Sequence, residues 1–353
     1  MKRQSTDPKH YLMLHTFDDF LRAHGGTLND GSSHTALIDE LSASLQDHRS
    51  NPALVHGLHV QSMFAHVIAE LGKCELIIEE DSGGFYSAHE DLRRPDFRIH
   101  LRVGDPVLVE VKNFHQTASF APYRIKPSYM ASLQRYADIL SLPLYFAVYW
   151  SRWNLWTLTR SDAFDLEDGK HQVNMGDAMK RNEMGMVGDC SIGTVPPLSL
   201  RLFSAPGFPR PLDKEGQFVF KVGRACLCAG DKEITDAVEQ KIAWFLMLYG
   251  SWNKIEQPAH MVDARIDYFD IQVSPEEPPE EQRFCLVGYM SQMLSTRYKQ
   301  FTADPEGVSR LTPNSQPTQM SGLIPEGYKG KALPIWHFTQ LPNYEDIDKG
   351  NAV

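Results

Sequence analysis

The chain has 353 residues, 42% hydrophobic and 23% charged, with 35 basic against 45 acidic side chains. That composition belongs to an ordinary globular protein and excludes a disordered, fibrous or collagen-like chain. A net charge of −10 argues against wrapping nucleic acid with the whole surface, although a local basic patch stays possible. At roughly 150 residues per domain the length predicts two domains, or one with large additions. The longest apolar run, 242–250, is shorter than the roughly 20 residues of a membrane span, and the first residues lack the apolar segment of a signal peptide. A cytoplasmic protein without membrane contact is therefore expected. Five scattered cysteines, with Cys226 and Cys228 as a lone CxC, predict reduced thiols and no structural zinc.

In chain order, residues 11–24 and 35–48 read as helices, the second opened by Ser32/Ser33 and carrying Leu37, Leu41 and Leu45 at helical spacing. A third helix over 54–71 groups Leu58, Phe64, Val67, Ile68 and Leu71 and stops at Gly72. A short strand at 74–80 follows. In 95–103, Phe97, Ile99, Leu101 and Val103 alternate with polar residues, as in a half-buried strand. Val107, Val109 and Val111 alternate with Leu108, Glu110 and Lys112 in the next. A helix over 128–140 and strands over 144–150 and 154–159 complete this part. Residues 161–211 are expected to be an irregular connection. Beyond it come a strand at 217–221, a helix at 234–249, a strand at 265–273 and a solvated acidic loop at 274–282. Residues 336–338 (Trp-His-Phe) are apolar enough to dock the tail.

The order helix, strand, strand with Pro95-Asp96, strand with Glu110-Val111-Lys112, helix, strand resembles the core of the PD-(D/E)XK nuclease superfamily. The resemblance implies an α/β fold with a restriction-endonuclease-like core, a mixed sheet flanked by helices, at 54–160. A helical extension (1–53) precedes it, and the connection (161–211) leads to a C-terminal α+β region (212–353) of unknown role. Within 91–135 there are eight basic and four acidic side chains, a local +4 that leaves −14 for the rest.

Parity supplies a physical condition. For Asp96 and Glu110 to share a metal, residues whose numbers sum to an even value must pair across the two strands, and the apolar faces demand the same. A two-residue turn at 104–105 gives odd sums and buries the charges. A three-residue loop at 104–106 leaves Asp96 four positions from Glu110, about 13 Å along the strand. A wider loop centred nearer Val103, or splayed strands, is the arrangement that joins them.

The resemblance implies that Asp96, Glu110 and the Val111 carbonyl hold Mg²⁺, with Mn²⁺ as a substitute. Hard oxygen ligands suit that ion, and it suits phosphodiester hydrolysis. Lys112, on the same face as Glu110, would position water or offset charge. Gln61 on the third helix and Gln134 on the helix after the third strand are carried over as further members. Glu70 is an alternative to Gln61, its rival reading being a solvated helix residue. Arg124, Lys126 and Arg135 are candidate phosphate contacts.

Other chemistries find less support. His56, His59 and His66 lack the HExxH arrangement and are expected to pack on a helix face. No phosphate-binding glycine loop or GxSxG elbow is present. Trp150, Trp153 and Trp156 read as strand-packing residues. The expectation is an Mg²⁺-dependent DNA endonuclease in restriction or anti-phage defence, a homodimer or larger because two strands need two sites. The alternatives are an RNA-cleaving nuclease and a non-catalytic nucleic-acid-binding or assembly protein.

Overall fold

The computed structural model describes residue 1 and residues 13–29, 33–80, 85–116, 118, 121–208, 217, 219–262, 265–277, 282–314, 317, 324, 328–342 and 344. Two helices lead the chain, α1 (Leu14–His24) and α2 (Ser33–Arg49). α2 buries no residue and presents Ile38, Leu41 and Leu45 to solvent.

α3 (Pro52–Leu71) forms where local chemistry favours it. The Asn51 side chain accepts from Leu54 N at 3.2 Å, Pro52 occupies the first turn, and Gly72 closes the end with φ of +86°. Its Met63, Phe64, Val67 and Ile68 are wholly buried. Each is worth about 1.5–3 kcal/mol of transfer from water.

α3 lies on a five-stranded mixed sheet with the order β1 (Cys74–Glu79), β2 (Phe97–Leu101), β3 (Val107–Phe114), β5 (Leu144–Trp150), β6 (Leu155–Arg160). β3 and β5 run parallel and the other pairs antiparallel. β4 (Tyr123–Ile125) leaves this sheet and α4 (Pro127–Leu140) covers its second face. The odd residues Val107, Val109 and Val111 of β3 join the core under α3, whereas Leu108 joins the core under α4. The chain is thus α/β, with a mixed sheet between helices.

Residues 161–211, expected to be irregular, are largely ordered elements. β8 (Lys170–Val173) pairs with β4 on one side and with β7 (Asp165–Glu167) on the other, α5 (Met175–Lys180) follows, and β9 (Ser191–Thr194) and β10 (Leu198–Ser204) begin two further sheets. β7, β8 and β9, of three or four residues each, are too short for a period-2 pattern to show, whereas β10 does alternate Leu198, Leu200 and Leu202 with Ser199 and Arg201. The strand expected at 217–221 begins later, as β11 (Val222–Ala229).

β11 belongs to a second sheet with β10, β12 (Lys232–Ile234), β13 (Lys254–Glu256), β14 (Ala259–Val262) and β15 (Arg265–Ser274). α6 (Ala237–Tyr249) packs between this sheet and α7 (Met290–Thr302). β16 (Cys285–Tyr289), β9 and β19 (Ile335–Phe338) form a three-stranded sheet, so the Trp336 segment docks by backbone pairing. β17 (Ala303–Asp304) and β18 (Gly307–Val308) make a small hairpin after α7. One continuous apolar core includes Phe64, Trp156, Leu246, Leu294 and Ile335, so the C-terminal elements share the core of the five-stranded sheet.

Candidate active site

The site is built at the β2–β3 junction. Phe97 pairs with Val109, Arg98 with Leu108 and Ile99 with Val107, a register symmetric about Val103. Residues 102–106 connect the strands, with Gly104 at φ of +108°, a region glycine enters without strain. The ladder ends at Phe97 and Val109, and Asp96, one residue before β2, meets β3 at Val111, next to Glu110. The four-position offset of the three-residue loop does not arise.

At this end of β2 the Asp96 side chain takes over from the backbone ladder, its Oδ2 accepting from Val111 N at 2.6 Å. Because the N–H and C=O of a strand residue point to the same side, the Val111 carbonyl faces the Asp96 side as well. Glu110, only 3% exposed, accepts from Lys112 Nζ at 2.5 Å and from the Tyr129 hydroxyl. Lys112 also donates to Tyr129 Oη at 2.9 Å, and its ammonium lies 4.7 Å from that ring centroid. Arg93 covers the same ring at 5.0 Å.

These contacts set the charges. Burial works against a charged Lys112, but the Glu110 carboxylate and its hydrogen bond outweigh it, and the ammonium is held above its ordinary range. The Tyr129 hydroxyl is pushed up to about 12, first by burial and then by Glu110. Tyr123, buried near the same charges, also rises to about 12. At neutral pH Lys112 is a fixed cation and both phenols are neutral donors.

A cavity of about 860 Å³ opens beside Asp96, Val111 and Lys112. α3 contributes Gln61 and His59 to it, and α7 contributes Lys299. His59 is buried, hydrogen-bonded to Thr302 Oγ1 at 2.8 Å, and held neutral with its pKa lowered to about 4, by burial first and then by His56 and Lys299.

Asp96, Glu110, Val111 and Lys112 are thus gathered at one place, and Gln61 reaches the same cavity. Gln134 does not. Its amide donates to Asp138 Oδ1 and its carbonyl accepts from Ser161 Oγ, both at 2.9 Å. Glu70 is no solvated helix residue either: it is 1% exposed, 3.5 Å from both His66 and Arg297, because α7 packs over that side of α3. Arg124 bonds Gln172 and Arg135 bonds the Asp91 carbonyl, while Lys126 is exposed at the start of α4. Trp150 and Trp156 are buried as expected, but Trp153 is half exposed. Tyr129 went unrecognised in the sequence, where it is one tyrosine among several near the start of α4.

Asp96, Val111 and Gln61 line one cavity, while Glu110 beside them is engaged by Lys112 and Tyr129; carboxylate, carbonyl and amide oxygens are the hard donors that Mg²⁺ takes. Among the described residues no group of three His, Cys, Asp or Glu side chains is placed to hold a metal, so a bound ion would complete its shell with other oxygens.

No known family profile matches the chain. No curated protein matches it either. Among solved structures it is similar to Hjc of Archaeoglobus fulgidus, a Holliday junction resolvase from an archaeal hyperthermophile. The likeness has 15% identity and a TM-score of 0.26, and covers 32% of this chain and 84% of that one. So slight a likeness carries no argument for function, which rests on the geometry. Among the described residues no helix is long and apolar enough to cross a membrane.

Proposed function

We propose that the chain is a metal-dependent endonuclease that hydrolyses phosphodiester bonds in DNA. The observation that supports this reading is the pair of contacts along β3: Asp96 Oδ2 accepts from Val111 N, and the neighbouring Glu110 accepts from Lys112 Nζ. Asp96, Glu110 and the Val111 carbonyl would hold Mg²⁺ or Mn²⁺. When bound, the ion supplies an activated water and neutralises charge on the phosphate. Lys112, kept protonated by Glu110, offers a positive charge to the phosphate oxygens as the bond breaks, and does not serve as a base. Tyr129 holds both Glu110 and Lys112 in place. A homodimer would supply the two sites that cutting both strands needs, and defence against foreign DNA is the role we attach to it.

One observation favours a second reading. Glu110 is already paired with Lys112 and hydrogen-bonded by Tyr129, which suits a non-catalytic nucleic-acid-binding protein that needs no ion.

Incubation with supercoiled plasmid and Mg²⁺ or Mn²⁺, with an RNA control, separates them. The nuclease reading expects metal-dependent nicking that EDTA stops and that Asp96→Ala, Glu110→Ala and Lys112→Ala each abolish with folding intact. Nicking that survives all three variants sinks the site. Binding without cleavage supports the second reading, and cleavage confined to RNA reassigns the substrate.

A further inference from the structure

The cavity beside Asp96 has a second wall that the nuclease reading does not use. α7 contributes Lys299, and residues just beyond the C-terminal ends of the parallel strands β3 and β5 contribute His115 and Ser151. In open sheets, ligands bind outside the carboxyl ends of parallel strands. His115 Nδ1 and Ser151 Oγ are 3.0 Å apart, which fixes the imidazole at the cavity edge.

Lys299 is half-buried, and its hydrogen-bond partners are both neutral: Tyr149 Oη and Asn154 Oδ1, each at 2.9 Å. Among the described residues no carboxylate pairs with it, and burial lowers its pKa. Lys112, in contrast, has a carboxylate partner in Glu110. Asp96 is the sole acid among the described residues lining the cavity, which also holds three histidines and two lysines. An unpaired ammonium in such a place costs stability that a methionine would not. Its placement is accounted for by an anion that enters the cavity.

We propose that Lys299, with His115 and Ser151, forms a phosphate-binding subsite that grips a backbone phosphate of a nucleic-acid strand whose neighbouring phosphate lies at Asp96 and Lys112. The subsite deepens the nuclease reading and rests on it. It also gives the C-terminal region a role, because α7 lies outside residues 54–160.

The test is fluorescence anisotropy of fluorescein-labelled single-stranded DNA, double-stranded DNA and RNA oligonucleotides in EDTA over a salt series, alongside plasmid cleavage. Lys299→Met leaves Tyr149 Oη donating to Asn154 Oδ1 at 2.6 Å, so no donor is orphaned and the melting temperature is expected to hold or rise. Its affinity is expected to fall about tenfold, and its salt dependence to lose about one counterion. Lys299→Gln, which keeps a polar group, is expected to lose as much, because the charge is what binds. The oligonucleotide held most tightly names the strand type. Wild-type affinity and salt slope in both variants, with cleavage still sensitive to Asp96→Ala, would overturn the subsite alone. Unfolding of both variants would make Lys299 a structural residue and overturn it too. A wild-type protein that neither binds nor cuts removes the nuclease reading and the subsite together.

Discussion

Trp156 on β6 donates its indole N–H to Ser295 Oγ on α7 at 2.9 Å, across 139 residues of sequence. Both are buried, and Trp156 also packs on Phe64 of α3 with ring centroids 5.2 Å apart. The C-terminal helix therefore closes the core of the first sheet. A fragment of residues 54–160 would expose Phe64, Val67 and Trp156 where Met293, Leu294 and Tyr298 now join them in one core. Such a fragment is expected to show no cooperative thermal transition by circular dichroism and poorly dispersed amide NMR signals. A sharp transition would show that the first sheet folds without α7.

The buried Glu110 and Lys112 pair predicts a non-additive stability pattern. Lys112→Met leaves Glu110 without its cation and is expected to cost about 2–4 kcal/mol in urea unfolding, since removing one partner strands a desolvated charge. Glu110→Gln with Lys112→Met should cost less than the sum of the singles, with a coupling of about 1–3 kcal/mol. Additive costs would mean that the two charges do not sense each other.

Tyr129 touches both ions, so Tyr129→Phe removes one hydrogen bond to a carboxylate and one to an ammonium. We expect a loss of about 1–3 kcal/mol in stability. In plasmid cleavage kcat should fall about tenfold with KM little changed, because Tyr129 positions the charged groups rather than binding the strand. An unchanged kcat would remove Tyr129 from the site.

His59 gives the pH dependence. Its folded pKa, lowered to about 4 by burial, lies below the ordinary 6.5, so the unfolded chain takes up the proton first. Its contribution to stability is complete above pH 6.5 and falls as the pH drops from 6.5 towards 4, by on the order of 3 kcal/mol. Asp189, buried against Ser291 and raised to about 6, acts in the opposite sense, gaining stability as the pH falls from 6 towards 3.8. The measurement is therefore the difference between wild type and His59→Gln in urea at pH 7.5 and pH 5. The wild type should lose stability relative to the variant at pH 5. An equal response at both values would place a charged imidazole in the core.

Local sequence determined the elements and their faces. Asn51, Pro52 and Gly72 mark out α3, and the alternation of Phe97, Ile99, Val107 and Val109 dictates which face of each strand is buried, because side chains on a strand repeat every two residues. The same alternation requires even sums across β2 and β3 without choosing among them, since shifting a strand by two residues restores every face. Tertiary packing chose the register symmetric about Val103, with residues 102–106 as its loop, which brings Asp96 onto Val111 N beside Glu110. It also turned Gln134 towards Asp138 and Ser161, buried Glu70 under α7, set Tyr129 against Glu110 and Lys112, and brought Lys299 to the cavity beside Asp96. Contacts of that kind join elements tens to hundreds of residues apart, and no local periodicity encodes which distant side chain fills a given space.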